Sequence, residues 1–188
     1  MNKLMKICIM LILILTVTIS VVSAASVKEK RESIQNSTNQ TLDKLYNIHP
    51  NARRAIESAA GYAVFNITDV KVVFLGGGGG KGLAVNNMTK ERTFMKTGDV
   101  QVGFGLGAKK MNVILVFETE EAFANFINKG WIVDGQATAA ATDSVNGGSL
   151  QGAVSAGKDV WMYQLTDKGL ELSLTIRGIR YYKDSELN

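Results

Sequence analysis

Thiols, imidazoles and proline rings are almost missing from this chain. Among 188 residues there is one cysteine, Cys8, one histidine, His49, and one proline, Pro50. A single cysteine excludes a disulfide framework and any cysteine-based zinc site. A single histidine excludes histidine-cluster metal sites and most histidine-paired triads within one chain. Strong charge of one sign is lacking too: 21 basic residues face 17 acidic ones. So weak an excess gives no ground for expecting a nucleic-acid partner. A hydrophobic content of 46% excludes a disordered chain, and the length suits one domain. Glycine is the residue in surplus. There are 19, and loops rich in glycine are usually rich in proline as well.

The first segment reads as an address. Lys3 and Lys6 precede an uncharged apolar run from Ile7 to Val22, and Val22-Ser23-Ala24 offers a small-residue exit before Ala25. This is the order of a secretory signal peptide, expected to be cleaved after residue 24. The run is short for a membrane-spanning anchor, and Thr16, Thr18 and Ser20 interrupt it. Cys8 lies at the start of the run, so it cannot become a lipidated N-terminus. Cleavage would remove the thiol, and losing Lys3 and Lys6 would take the net charge from +4 to +2. The expected location is the periplasm or the exterior.

The remainder divides by its glycines. None occurs from Ser26 to Ala60, and all 19 fall between Gly61 and the C-terminus. Residues 25–60 read as a helical segment, with Val27, Ile34, Leu42 and Leu45 at helical spacing. His49-Pro50 breaks this helix, Asn51 is placed to cap a second one over Ala52–Ala60, and Gly61 is placed as its left-handed stop. From Gly61 to residue 188 the apolar period becomes two. Tyr62–Phe65, Val70–Leu75, Gly82–Asn86, Arg92–Thr97, Val100–Ala108 and Asn112–Glu118 read as successive strands, with turns at Asn66–Asp69, Asn86–Lys90, Gly98-Asp99 and Lys109–Met111. Gaps this short require antiparallel pairing. Thr119 caps an internal helix that buries Phe123, Phe126 and Ile127 and ends at Gly130. Gln136–Asp143 and Gly152–Ala156 fit strand or helix. Val160–Thr166 and Leu170–Arg180 read as strands around an Asp167-Lys168-Gly169 turn. The fold class is α+β: a large, strongly coiled, barrel-like antiparallel sheet with two N-terminal helices and one internal helix.

Two glycine stretches invite functional readings. Gly76–Gly80 followed by Lys81-Gly82 resembles a phosphate loop, but Leu75 and Gly82 stand where glycine and a hydroxyl residue are required. No helix follows, so no nucleotide is expected. The run's amides are left as an anion-binding nest. Gly103, Gly105 and Gly107 alternate with Phe104 and Leu106, which leaves one strand face bare. A crossing helix, a strongly coiled sheet or a ligand each explains such a face.

Arg54–Phe65, the polyglycine run with Lys81–Val85, the alternating glycines and the Val113–Phe117 strand occur in a recognisable order. With Phe123, Phe126, Gly135 and Gly169–Arg180 ending in Tyr181-Tyr182, they resemble the SYLF domain family of lipid-binding proteins, most closely its exported bacterial members. Asn66 stands where many relatives have proline. The resemblance implies an anionic phospholipid membrane surface as partner and no cofactor. It places membrane contact at a basic helix, here carrying Lys28, Lys30, Arg31, Arg53 and Arg54, diluted by Glu29, Glu32 and Glu57. Lys109-Lys110 and the Arg177, Arg180, Lys183 set are secondary candidates.

No enzyme is expected. His49 beside Pro50 fits a surface or capping residue better than a base, and nothing in the spacing of Asp134, Asp143 and Asp159 demands a carboxylate pair. Trp131 and Trp161 read as core or sheet-edge aromatics. The rival to lipid binding is a periplasmic scaffold or envelope-stress protein without lipid affinity.

Overall fold

The computed structural model describes residues 3–133, 150, 152–166, 169–171 and 179–188. Helix α1 (Lys3–Ile48) and helix α2 (Asn51–Ser58) come first, followed by two strands of 26 residues each, β1 (Gly61–Asn86) and β2 (Arg92–Phe117). Helix α3 (Glu120–Lys129), β3 (Trp131–Val133), β4 (Val154–Gly157), β5 (Val160–Thr166), β6 (Gly169–Glu171) and β7 (Ile179–Lys183) complete the described elements. Every strand pair is antiparallel, as the short gaps require. The class is α+β, with a strongly curled half-barrel sheet.

The strand count corrects the sequence reading. Of four expected turns only the one at Asn86–Lys90 exists; Asn66–Asp69, Gly98-Asp99 and Lys109–Met111 continue as paired strand. Six expected strands are therefore one long ribbon.

That ribbon is folded double. Extended, 26 residues would reach about 85 Å, yet the two ends of β1 meet. A Cβ on Gly61 would lie 2.9 Å from the Val85 carbonyl oxygen and 2.5 Å from the Phe123 ring. One on Gly82 would meet the Phe65 ring and the Val64 carbonyl, and one on Gly80 would meet the backbone of Asn66 and Ile67. These contacts are symmetric about residue 73, where the register with β2 slips between Val73 and Leu75. Such a bulge bends a strand and increases its twist.

Both faces of the ribbon's first half are covered. Residues alternate across a strand: Ala63, Phe65, Val113, Leu115 and Phe117 pack with Phe123 and Phe126 of α3. Val64, Ile114 and Val116 pack with Leu42, Leu45 and Ile56 of α1 and α2, over Trp161 and Tyr163. The returning half is covered outside by Ile34, which packs with Leu83, Val85, Phe94 and Leu187. Helix α1 thus lies across both halves; of the positions its periodicity indicates, Ile34, Leu42 and Leu45 are buried and Val27 is half-buried, and Thr38 and Thr41 are buried beside them. A fully buried Leu or Phe contributes about 1.5–3 kcal/mol, so this contact supplies what the polar Gln35–Gln40 stretch cannot.

Local expectations fare unevenly. Helix α3 is as predicted: the Thr119 hydroxyl accepts from the Ala122 amide at 3.3 Å, and Gly130 ends it at φ +69°. Helix α2 is not. Pro50 occupies its N-cap position without a side-chain hydrogen bond, and the extended Ala59 ends it. Gly61 serves packing against Phe123 and not a left-handed stop. The ambiguous Gly152–Ala156 contains strand from Val154, and Trp161 is buried with Trp131 packed beside the core. Gln136–Asp143, Asp134, Gly135, the Asp167-Lys168 turn and the middle of Leu170–Arg180 lie outside the described residues, as do the faces of Val102, Phe104 and Leu106.

Candidate functional site

The five helix cations do not form one patch. Lys28, Lys30 and Arg31 lie early in the described part of α1, whereas Arg53 stacks over the Tyr46 ring at 4.3 Å. Residues 31 and 46 are separated by about 22 Å along the helix. Three of the five are also engaged. Lys28 pairs with Glu32 at 3.8 Å and Arg53 with Glu57 at 3.7 Å, both exposed i,i+4 pairs. The Arg31 Nε donates to the Leu187 carbonyl at 2.9 Å, with the guanidinium 5.7 Å from the Phe94 ring centre. Arg31 is a clasp between α1 and the C-terminal tail. Lys30 and Arg54 remain exposed, with no ion-pair or hydrogen-bond partner among the described residues.

The secondary candidates are scattered. Lys110, Arg180 and Lys183 are exposed, and Lys183 donates to the Asn128 side chain at 3.4 Å. Arg177 and the Lys109 side chain lie outside the described residues. His49 meets the edge of the Tyr163 ring, 6.3 Å between centroids. The polyglycine run is continuous strand opposite Thr97–Gln101, so its amides form a ladder and not a nest.

Doubling the ribbon carries its tip back to the helices. The Asn87 amide nitrogen donates to the Ala60 carbonyl at 2.9 Å, and its side chain donates to the carbonyls of Ile56 and Ala59. Met88 at the tip is 79% exposed. Lys90 has φ +60°, and its amide closes the turn onto Asn86 at 3.0 Å. Between tip and α1 lies a cleft of about 280 Å³ with Lys90 and Arg92 on its wall. Its floor is Leu83 and Val85, and α1 contributes Gln35, Thr38 and Asn39. Burial pushes the Tyr62 hydroxyl, also in this wall, above its ordinary pKa, and the Arg92 guanidinium pulls it part of the way back. Sequence reasoning missed these residues. Lys90 and Arg92 are ordinary turn-flanking cations until the doubled ribbon brings them to Thr38, more than fifty positions away.

A second cleft of about 280 Å³ lies beside α3, floored by Phe117, Phe126, Trp131 and Val160. Lys129 and Lys158 on its rim are matched by Glu121 and Asp159. It carries no net charge.

Residues 98–188, from the middle of β2 to the C-terminus, match the family model described as Ysc84, Las17-binding protein actin regulator. Over residues 98–188 the chain is thus similar to the SYLF domain family. It is also similar to Beta cell expansion factor A of Aeromonas veronii, with 30% identity over 174 residues. That alignment covers 89% of this chain and 62% of the relative, so the chain spans less than two thirds of the relative's length. That family is associated with lipid binding and with actin regulation. The family model covers β7 and the α3 cleft, whereas the ribbon tip and α1 lie outside it.

Proposed function

We propose that this protein is exported and binds anionic phospholipid surfaces without catalysing a reaction. The observation that carries the reading is the ribbon tip, where an exposed Met88 stands beside Lys90 and Arg92. An apolar side chain can enter the head-group region while flanking cations contribute about 1 kcal/mol each at an anionic surface. Glu91 lies between the two cations in sequence but outside the lining of the cleft. Lys30 and Arg54 are the members of the predicted helix set still free to contribute.

Export rests on the leader. Cleavage before Ala25 would leave Ile34, Leu42 and Leu45, the core contacts of α1, in place. N-terminal sequencing of the exported protein should begin at Ala25. The family's actin-regulator description has no counterpart in an exported chain, which favours the lipid reading.

Vesicle sedimentation tests the proposal. The protein should pellet with phosphatidylglycerol or cardiolipin vesicles, much less with phosphatidylcholine, and be released by high salt. No sedimentation with any vesicle at low salt would favour the scaffold reading.

A further inference from the structure

The cleft behind the ribbon tip has chemistry that a membrane-facing surface does not need. Thr38 is 1% exposed, and its Oγ1 has no hydrogen-bond partner among the described residues. A helical threonine ordinarily returns its hydroxyl to the carbonyl one turn back. A buried hydroxyl without any partner is costly. This one lines a cleft whose wall carries an ammonium from Lys90 and a guanidinium from Arg92. Gln35 and Asn39 add side-chain amides, and no carboxylate is among the lining residues. The Asn87 amide group is already committed to Ile56 and Ala59, so it is not counted as a free donor. Lys90 is held in a left-handed conformation that few non-glycine residues adopt. Such strain is concentrated where a side chain must be aimed.

We infer that this cleft binds one phosphate-type oxyanion, with Arg92 and Lys90 supplying charge and Thr38 donating its hydroxyl from α1. Guanidinium geometry suits two oxygens of a tetrahedral anion, and the lysine acts as a point charge. The anion could arrive as free phosphate, as a soluble phosphomonoester or as a lipid head group; the recognition is common to all three. The inference goes beyond the membrane reading, because soluble phosphate alone would satisfy the site.

Titration of inorganic phosphate into 15N-labelled protein at constant ionic strength tests it. Saturable amide shifts are expected at Thr38, Asn39, Lys90 and Arg92. The double variant Lys90→Asn, Arg92→Gln should bind at least tenfold more weakly, asparagine being chosen because it tolerates positive φ. Thr38→Val should weaken binding several-fold without lowering the melting temperature, a control that separates lost binding from lost folding. A second arm compares vesicles of phosphatidic acid and phosphatidylglycerol at equal surface charge. A phosphatidic acid preference lost in the double variant identifies a lipid head group as the ligand. Saturable phosphate binding without that preference identifies a soluble phosphate. Either supports the site. Shifts that stay linear together with no phosphatidic acid preference, or responses undiminished in the double variant, would overturn it. A protein that still pelleted with anionic vesicles in that case would retain the membrane reading and lose this one.

Discussion

Two basic surfaces can be compared on this molecule, one visible in the sequence and one made by the fold. The helix set is dense in cations, but its own spacing neutralises it: Lys28 meets Glu32 and Arg53 meets Glu57 one turn on. Arg31 is spent on holding the C-terminal tail. The tip set has only Lys90 and Arg92, yet the cleft they border holds no carboxylate. Cation density along a chain is therefore a poor guide to a binding surface. What matters is which cations are left after the local helix pairs form, and a doubled ribbon can gather those from distant positions.

The largest expected effect comes from unfolding the comparison altogether. Gly82→Val drives side-chain atoms into the Phe65 ring and Val64 carbonyl, where even a Cβ has no room. It should cost about 3 kcal/mol or more in denaturant unfolding, since the ribbon could not close and the tip would not reach α1. Gly79→Ala, one step out of phase, meets only the Thr97 carbonyl at 3.6 Å and should change stability by less than about 0.5 kcal/mol. Equal losses at the two sites would contradict the doubled ribbon.

Next in size is the division of labour among the helix cations. Arg31→Ala should lower unfolding free energy by about 1.5 kcal/mol, through the lost Leu187 bond and Phe94 contact. Lys30→Ala, one residue away and exposed, should fall within about 0.5 kcal/mol of wild type. Thr38→Val should stabilise the phosphate-free protein by about 1 kcal/mol, because it removes an unsatisfied buried hydroxyl.

The alkaline limb sharpens the contrast electrostatically. Burial pushes Tyr46 and Tyr163 from 10.0 to about 12. The Lys96 ammonium donates to the Asp184 carboxylate at 2.9 Å, and this hydrogen bond holds Lys96 above its ordinary 10.5. Each folded pKa is raised, so between about 10 and 12 the unfolded chain binds fewer protons than the folded one. Stability should be insensitive to these groups below pH 10 and fall as pH rises through that window, as read by denaturant midpoints. Phenolate absorbance gives the smallest effect: Arg92→Gln should raise the Tyr62 midpoint and Arg53→Gln that of Tyr46, each losing a cation that favours the phenolate.

Much of the fold was legible because it rests on short-range patterns. The α3 caps, the α1 face carrying Ile34, Leu42 and Leu45, and the period of two beyond Gly61 all depend on neighbours in sequence. The six-strand reading failed because Asn66, Asp69, Gly98 and Asp99 have turn chemistry, whereas tertiary pairing along one ribbon overrides it. Gly80 and Gly82 looked like part of a phosphate loop; their reason is the strand that crosses them, which no local window contains. The tip cleft was illegible for the same cause. Nothing near Lys90 or Arg92 announces Thr38.

The most direct measurement sets the two surfaces against each other on phosphatidylglycerol vesicles at low salt. Wild type, Lys90→Asn with Arg92→Gln, and Lys30→Gln with Arg54→Gln would be compared by sedimentation. With about 1 kcal/mol per basic residue at the surface, the tip variant should lose roughly thirtyfold in affinity. The helix variant should lose only a few-fold. A helix variant that lost as much as the tip variant, or a tip variant that bound like wild type, would contradict the account.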